Sequence, residues 1–430
     1  MSRFAARACF FIIILGISLS SFAEEPLSFK QAVAIALQQN HQIQIAGNNA
    51  AIAKNEVNIG NADLLPRIDL STSSTYQEGA ASFSGEKLTT TSAQAQVSYT
   101  LFDGLGNIYR FKKLQAGGLL GELEARGLIE TTLLRVGTSF YTSASAYENL
   151  QIAKQLLAIS KERLDRAEKR SVYGRARTID VLAARVDYFA DQVTVTQARF
   201  LWDETRRTLN VLLNRPVAFD FSVDTALDFR RDFDLNRLKE AAFANNAAYL
   251  SSEKRLRQAG YDVKIARSQF LPRLDFSASY GYNRSAPDLT IGLSDAESSL
   301  RVGATLSLNL FNGFKKFIQT RNAKIRRQNR ELTLEQSKLE LEKDVTGAYE
   351  SYRNSLLIMK LQEKYVEAAE LNFKRSNELY KLGQVTTTQF REAQLNLIRS
   401  RNNLSTAKYE AKLDEIELLR LTGQLIKRER

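Results

Sequence analysis

The sequence predicts a mixed α/β membrane protein that combines long amphipathic strands with very long helices. Three observations lead to this fold class: an internal duplication, strands that alternate between apolar and polar residues, and long helical runs without proline. The segment from Leu64 to Ser71 returns as Phe270 to Ser277. Because a repeat on this scale supplies the same unit twice, each half should contain a helix, a β-hairpin, a long helix, a turn and a returning helix.

The first 23 residues do not share the duplicated pattern and are predicted to be a signal peptide. Arg3 and Arg7 precede an apolar run over residues 9–19, and Ala23 ends a small-residue cleavage site. An uncleaved membrane anchor is the alternative, but a run of about 11 residues is short for a span that needs about 20. Cys9 is the only cysteine and lies within this leader, so the exported chain should contain no disulfide.

Four segments alternate with a period of two, in two predicted hairpins over residues 66–102 and 272–311. Each strand is about 10 to 12 residues long, the length that crosses a bilayer at a tilt. A soluble sheet with one face on a core is the alternative, but soluble strands average about 5 to 6 residues. The polar face is expected to line a lumen, and its charged members are Arg67, Asp69, Arg273 and Asp275.

Four strands cannot close a barrel, and open strand edges are not tolerated in lipid. Two copies would give about 8 strands with an interior filled by side chains, whereas three copies give about 12 strands and leave a lumen. A polar inner face suits a water-filled lumen. The sequence therefore predicts a trimeric 12-stranded transmembrane β-barrel, with four strands from each chain.

Helices account for most of the remaining chain. No proline interrupts residues 106–173 or 314–381, and about 65 helical residues extend on the order of 100 Å. Long amphipathic helices of this kind bury their apolar stripes on one another, so the barrel should continue into a long α-helical coiled-coil barrel. Each long helix should turn at a tip, over residues 174–178 and 383–387, with Thr178 and Thr387 as N-caps.

The domain organisation follows from the duplication. Residues 24–216 form the first structural repeat, residues 217–233 a linker, and residues 234–430 the second repeat.

Over nearly the whole exported chain, these motifs resemble those of the TolC-type outer-membrane efflux factors. The resemblance rests on Leu-Pro-Arg-aliphatic-Asp at the start of each hairpin, Leu-Phe-Asp/Asn-Gly at its end, and Gly-x-x-x-Thr at each tip. It implies a homotrimer in the outer membrane of a Gram-negative bacterium that extends into the periplasm. Such a protein is the passive exit duct of a tripartite export system, for multidrug efflux or type I secretion. A periplasmic adaptor and an inner-membrane transporter of RND or ABC type would open it.

The resemblance also implies which residues gate the channel and which receive the adaptor. Val385 stands where the best-studied branch has an arginine, and Gln389 stands where it has an acid, so the usual ionic lock is altered and Arg175 or Arg177 could supply other contacts. The expected gate or constriction residues are Glu392, Asp180, Gln389 and Tyr380. The expected adaptor-docking tips comprise Gly174, Arg175, Gly383, Gln384 and Val385.

Other function classes fit the composition poorly. His41 is the only histidine, and the sequence has no glycine-rich phosphate loop and no metal-ligand spacing, so we expect neither an enzyme nor a cofactor. The net charge of +12 could suggest nucleic acid, but the leader argues for export, and the charges should face the periplasm or anionic lipid phosphates. A periplasmic coiled-coil scaffold or adhesin without a pore is the remaining alternative.

Overall fold

The computed structural model describes residues 26–78, 88–173, 177–287, 289 and 291–425. The predicted signal peptide lies outside these residues, and so do Gly174 and Arg175 of the first tip. Along the described chain the helices and strands follow in the order α1 (Phe29–Gln39), α2 (His41–Asn55), β1 (Arg67–Gln77), β2 (Leu88–Phe102), α3 (Gly106–Val172), α4 (Thr178–Leu212), α5 (Leu235–Asn245), α6 (Ala247–Ser268), β3 (Arg273–Ala286), β4 (Glu297–Ser307), α7 (Lys315–Lys381) and α8 (Thr387–Leu421).

Helices in equivalent positions of the two halves have the same length. α3 and α7 contain 67 residues each, and α4 and α8 contain 35 each. α3 is antiparallel to α4 in one hairpin, and α7 is antiparallel to α8 in the other, because each pair is joined by a tip of only a few residues. At 1.5 Å per residue the long helices reach about 100 Å from the strands to the tips.

The repeated Leu-Phe-Asp/Asn-Gly motif makes the turn from strand to helix. Gly104 and Leu105 both have positive φ, 71° each, and Gly313 and Phe314 repeat this with 64° and 62°. Two successive left-handed residues reverse the chain sharply, which glycine permits at the first position. The Asp103 carboxylate then accepts a hydrogen bond of 2.8 Å from the Asn107 backbone N–H and so caps α3.

The four strands form one antiparallel sheet in the order β1-β2-β3-β4, with β1 and β4 at its edges. The second predicted hairpin extends to residue 311, whereas β4 ends at Ser307. Ser307 pairs with Arg273, the first residue of β3. The preceding Pro272 has no backbone N–H, so the ladder has no donor there and the chain after Ser307 leaves the sheet.

The main core lies where α1, α3, the end of α4 and α8 meet. The segment predicted as a linker contributes to this core, because Phe221 and Val223 are buried and Val223 pairs in parallel with Leu27. Phe140 and Tyr141 of α3 stack edge to face against each other with ring centroids 5.1 Å apart. None of the helices in the described part of the chain is both long and apolar enough to cross a membrane.

Candidate functional site

The four charged residues predicted to line a lumen lie on one face of the sheet. Arg67 forms an ion pair of 2.8 Å with Asp69, and Arg273 forms one of 2.8 Å with Asp275. The Thr100 hydroxyl donates a hydrogen bond of 2.8 Å to Asp275, which joins β2 to β3 on this face. Serine, threonine and glutamine occupy most of the neighbouring positions, so this face of the sheet is polar along most of its length.

Much of the opposite face of the sheet is apolar and exposed. Ile68 pairs across the sheet with Val97, which pairs with Ala278 and then Val302, so one apolar row crosses all four strands. Leu70, on the same face, remains 85 % exposed in the single chain. An apolar surface of this size on one side of a sheet requires a partner or lipid.

The tip between α7 and α8 consists of a C-cap that ends α7, followed closely by an N-cap that begins α8. Gly383 has a φ of +76°, the Gln384 N–H donates to the Leu379 carbonyl at 2.9 Å, and the Gly383 N–H donates to the Tyr380 carbonyl at 3.1 Å. This hydrogen-bond pair is the Schellman motif, which depends on glycine at the left-handed position. α8 then begins with Thr386 as its N-cap, one residue earlier than predicted, because the Thr386 hydroxyl accepts from the Gln389 N–H.

The tip between α3 and α4 is capped differently from the prediction. Arg177 rather than Thr178 is the N-cap residue of α4, and its backbone N–H donates to the Asp180 carboxylate at 3.4 Å. Asp180 also pairs with the Arg177 guanidinium at 3.4 Å. An acid in the first helical turn satisfies free N–H groups and interacts well with the helix dipole, which explains its position.

The predicted gate residues do not form a single cluster in the described part of one chain. The Gln389 side chain accepts a hydrogen bond from the Thr386 backbone N–H, and the Asp180 carboxylate accepts one from the Arg177 guanidinium. The Tyr380 ring stacks on Phe390, with centroids 4.7 Å apart and planes 14° apart. The Glu392 carboxylate is exposed and makes no hydrogen bond or ion pair to a described residue, so neither Arg391 nor Arg399 neutralises it.

A basic cleft separates the two tips. Asp180 and Tyr380 border it, together with the predicted docking residues Gly383, Gln384 and Val385. Its cationic members come from α3 and from the start of α4, and they are Arg166, Arg170 and Arg177.

The sequence patterns did not predict a buried ionic network that lies near the tips. Arg391 of α8 donates from its two terminal nitrogens to the two carboxylate oxygens of Asp191 on α4, at 2.7 and 2.8 Å. The Arg391 Nε also lies 3.6 Å from Asp187, which in turn bonds to Arg163 of α3. The Gln394 amide donates to the Ser160 hydroxyl at 3.3 Å, and Ser160 bonds to Asp191. The network therefore connects α3 and α4 of the first repeat to α8 of the second.

Electrostatics explain why Arg391 stays charged although it is largely buried. Burial lowers the pKa of Arg391, but the hydrogen bonds that Arg391 donates to Asp191 and the charges of Asp191 and Asp187 outweigh it, so the pKa is raised. Asp187 and Asp191 stand four residues apart on one helix, a like-charged pair that is unfavourable without a cation between them. That spacing is the sequence signal that could have located the network.

Comparison with known proteins shows what kind of chain carries this arrangement. The fold, with one amphipathic four-stranded sheet and two very long helical hairpins, is that of a channel subunit. The family model described as "Outer membrane efflux protein" matches residues 32–215 and 238–424. The chain belongs to this family.

Curated relatives span nearly the full length. The outer membrane protein TolC of Escherichia coli is 22 % identical over 429 residues, which cover 96 % of this chain and 86 % of TolC. The alkaline protease secretion protein AprF of Pseudomonas aeruginosa is 24 % identical over 393 residues, which cover 87 % of this chain and 80 % of AprF.

The same fold has been solved by crystallography. The outer membrane channel CmeC of Campylobacter jejuni matches with a TM-score of 0.79 at 16 % sequence identity, covering 93 % of this chain and 89 % of CmeC. The predicted mixed α/β class and the predicted family are thus confirmed. The protein is an outer-membrane export duct that extends into the periplasm, rather than an enzyme or a scaffold without a pore.

Proposed function

We propose that three copies of this chain form a passive exit duct, which a periplasmic adaptor and an inner-membrane transporter of RND or ABC type open for multidrug efflux or type I secretion. The observation that carries the proposal is an amphipathic four-stranded sheet whose edge strands, β1 and β4, have no partner strand within the described chain. In lipid such edges must pair with another chain.

The two faces of the sheet support an assembly of three copies. Three sheets of four strands supply 12 strands, and a barrel larger than about 8 strands keeps an open interior. The ion pairs of Arg67 with Asp69 and of Arg273 with Asp275 would face water in that interior. The apolar row from Ile68 to Val302 would face the hydrocarbon of the outer membrane.

The helices carry a second unpartnered surface. An apolar seam runs along α4 with alternating spacings of three and four residues, as in a coiled coil. Each of its large members is more than half exposed in the single chain, and they are Ile179, Leu182, Val186, Phe189, Val193 and Phe200. A neighbouring copy in a closed ring would cover this seam and continue the barrel as a helical tunnel.

The tips are the surface that remains for an adaptor. They lie about 100 Å of helix away from the strands, so they extend into the periplasm when the sheet is in the membrane. Gly174, Arg175, Gly383, Gln384 and Val385 are proposed to receive the adaptor there, and Glu392, Asp180, Gln389 and Tyr380 to control the constriction. The sequence has no glycine-rich phosphate loop, so the energy for opening would come from the transporter.

Cysteine cross-linking tests the ring directly, because Cys9 is the only native cysteine. Single cysteines would be scanned along β1, around Leu70, in combination with cysteines along β4, around Leu300. Closure of the ring predicts oxidised trimers on denaturing gels for the pairs in register, and ionic conductance of the same material in planar bilayers. Cross-linked dimers only, or monomers for every pair, would reject the trimer.

A further inference from the structure

The first turns of α7 carry an unusual concentration of positive charge. Residues 315–330 contain seven lysines and arginines and no acidic residue. The helix dipole makes cations unfavourable near a helix N-terminus, and no acidic residue occupies the first turn to offset this. Because these cations destabilise the isolated helix, we expect an anion outside α7 to neutralise them.

In the equivalent turns of α3, the cations are neutralised by contacts within the chain. There, Arg110 pairs with Asp63, Lys113 pairs with Asp262 at 2.6 Å, and Lys112 lies over the Tyr109 ring. In α7 only two of the seven cations have such contacts, since Lys316 donates to the Asn309 carbonyl and Arg327 pairs with Glu331. The side chains of the other five make no hydrogen bond or ion pair within the described residues, and they belong to Lys315, Arg321, Lys324, Arg326 and Arg330.

Helix geometry places Arg321 one turn beyond the exposed Phe317 ring, and Lys324 one turn beyond Arg321. Ala323 is buried against Val263 and Ala266 of α6, which fixes the inward face of α7. At 100° per residue, the side opposite Ala323 presents a continuous outward stripe. The collar is defined here as this stripe together with Lys324, which lies at its edge, about 100° around the helix from Ala323. The stripe consists of Phe314, Phe317, Ile318, Arg321 and Ile325, and its apolar members are exposed.

Along the helix, the aromatic residues of the collar lie near the sheet and its cations lie farther away, which is the order of apolar and charged groups across a bilayer interface. Phe314 and Phe317 adjoin the end of β4, where the apolar face of the sheet stops, and Phe311 extends the same patch with its ring 5.4 Å from that of Phe314. Arg321 follows Phe317 by one helical turn, and Lys324 follows Arg321 by another, away from the sheet. With the sheet in the membrane, the aromatic rings would lie at the level of the acyl boundary and the cations at the level of the headgroups.

We propose that the collar binds anionic phospholipid in the periplasmic leaflet, with the Arg321 guanidinium and the Lys324 ammonium on the phosphate and the aromatic rings on the acyl chains. The inference rests on the proposed membrane position of the sheet and adds a lipid preference to it. A guanidinium presents paired N–H donors that match phosphate oxygens, and a nearby ammonium adds a point charge. Each such cation near a membrane surface strengthens the attraction to anionic lipid about fivefold.

Native mass spectrometry of the purified channel in non-denaturing detergent tests this inference, with phosphatidylglycerol and phosphatidylethanolamine as probes. Tighter binding of phosphatidylglycerol is expected, and the double variant R321Q/K324Q should lose this preference by more than tenfold. The matched control K360Q/K364Q removes two exposed cations from the same helix, far from the membrane end, and should bind phosphatidylglycerol like the native channel.

Two results would overturn the collar. One is equal affinity for the two lipids, or an unchanged preference in R321Q/K324Q. The other is a fall in the trimer's thermal stability in lipid-free detergent with unchanged phosphatidylglycerol binding, which would mean that the cations pair with a neighbouring copy instead. Conductance in bilayers of phosphatidylethanolamine alone distinguishes a failure of the collar proposal from a failure of the proposed duct. R321Q/K324Q should still conduct there if only lipid binding is lost.

Discussion

Arg391 on α8 and Asp191 on α4 form a buried, two-pronged ion pair, with N–O distances of 2.7 and 2.8 Å. The Asp191 side chain is only 3 % exposed and that of Arg391 15 %. The two residues belong to different repeats, and Arg391 lies about one turn and Asp191 about four turns beyond the start of its helix. A charge pair this well shielded cannot separate without leaving a charge uncompensated, so it holds the two hairpins together near their ends.

Removal of the Arg391 charge is expected to destabilise the protein strongly. R391M should lower the free energy of unfolding by about 3–5 kcal/mol, because Asp191 then stays buried without its cation. Thermal unfolding in detergent measures the effect. R399M changes an exposed arginine on the same helix and should stay within about 0.5 kcal/mol of the native protein.

The double variant R391M/D191L tests the cause of that loss. If the uncompensated charge is responsible, the double variant should be more stable than R391M alone, since both charges are gone. Equal or greater destabilisation in the double variant would attribute the loss to packing.

The two faces of the sheet should respond differently to arginine. Val302 lies in the middle of β4 on the apolar face, whereas Leu306 lies near the end of the strand and is a weaker test. V302R should cost about 2–4 kcal/mol in a folding assay in lipid, because it places a charge near the bilayer midplane. S277R, on the polar face of the neighbouring strand, should fold normally and mainly change conductance. Similar destabilisation by both variants would remove the assignment of the faces.

The tip at Gly383 should be sensitive to bulk. G383W is expected to abolish export while trimers still reach the outer membrane, because the indole would fill the cleft that Gly383 borders. A φ of +76° adds about 1–2 kcal/mol of local strain for any side chain. G383A carries that strain with only one methyl group and serves as the control. Normal export by G383W would argue against docking at this tip.

Glu392 is the acid expected to act on ions in the constriction. Its exposed carboxylate has no cation partner among the described residues of the chain, and three copies around an axis would attract cations and repel one another. E392Q should therefore reduce cation selectivity and block by divalent ions in planar bilayers. E367Q neutralises an exposed acid on α7 and is the control. Unchanged reversal potentials in E392Q would refute the acidic ring.

Glu130 should make stability depend on pH. Burial of its carboxyl raises the pKa above the ordinary 4.5, although Arg126 and Arg420 counteract part of the effect. From pH 4.5 up to the raised pKa, the folded state holds a proton that the unfolded chain has released, so stability falls as pH rises through that window and is level above it. The thermal midpoint of E130Q should lack this decline, whereas E122Q, at an exposed position, should retain it.

Local patterns in the sequence were sufficient for much of the fold. Alternation with a period of two gives the two faces of each strand, because successive side chains on a strand point to opposite sides whatever the rest of the chain does. Proline-free amphipathic runs likewise gave the long helices to within a residue or two, since helical hydrogen bonds join residues only four apart. The strand-to-helix turns at Gly104 and Gly313 follow from short motifs for the same reason.

Contacts between distant parts of the chain were decided only by the tertiary structure. Asp191 and Arg391 are 200 residues apart, and the spacing of Asp187 and Asp191 marks a like-charged pair without indicating which cation folding brings to it. The burial of Val223 against Leu27 and the end of β4 opposite Pro272 depend in the same way on which segments meet. A residue's own neighbours fix its backbone conformation, but burial and ion pairing depend on the surface that folding brings against it, and that surface comes from elsewhere in the chain.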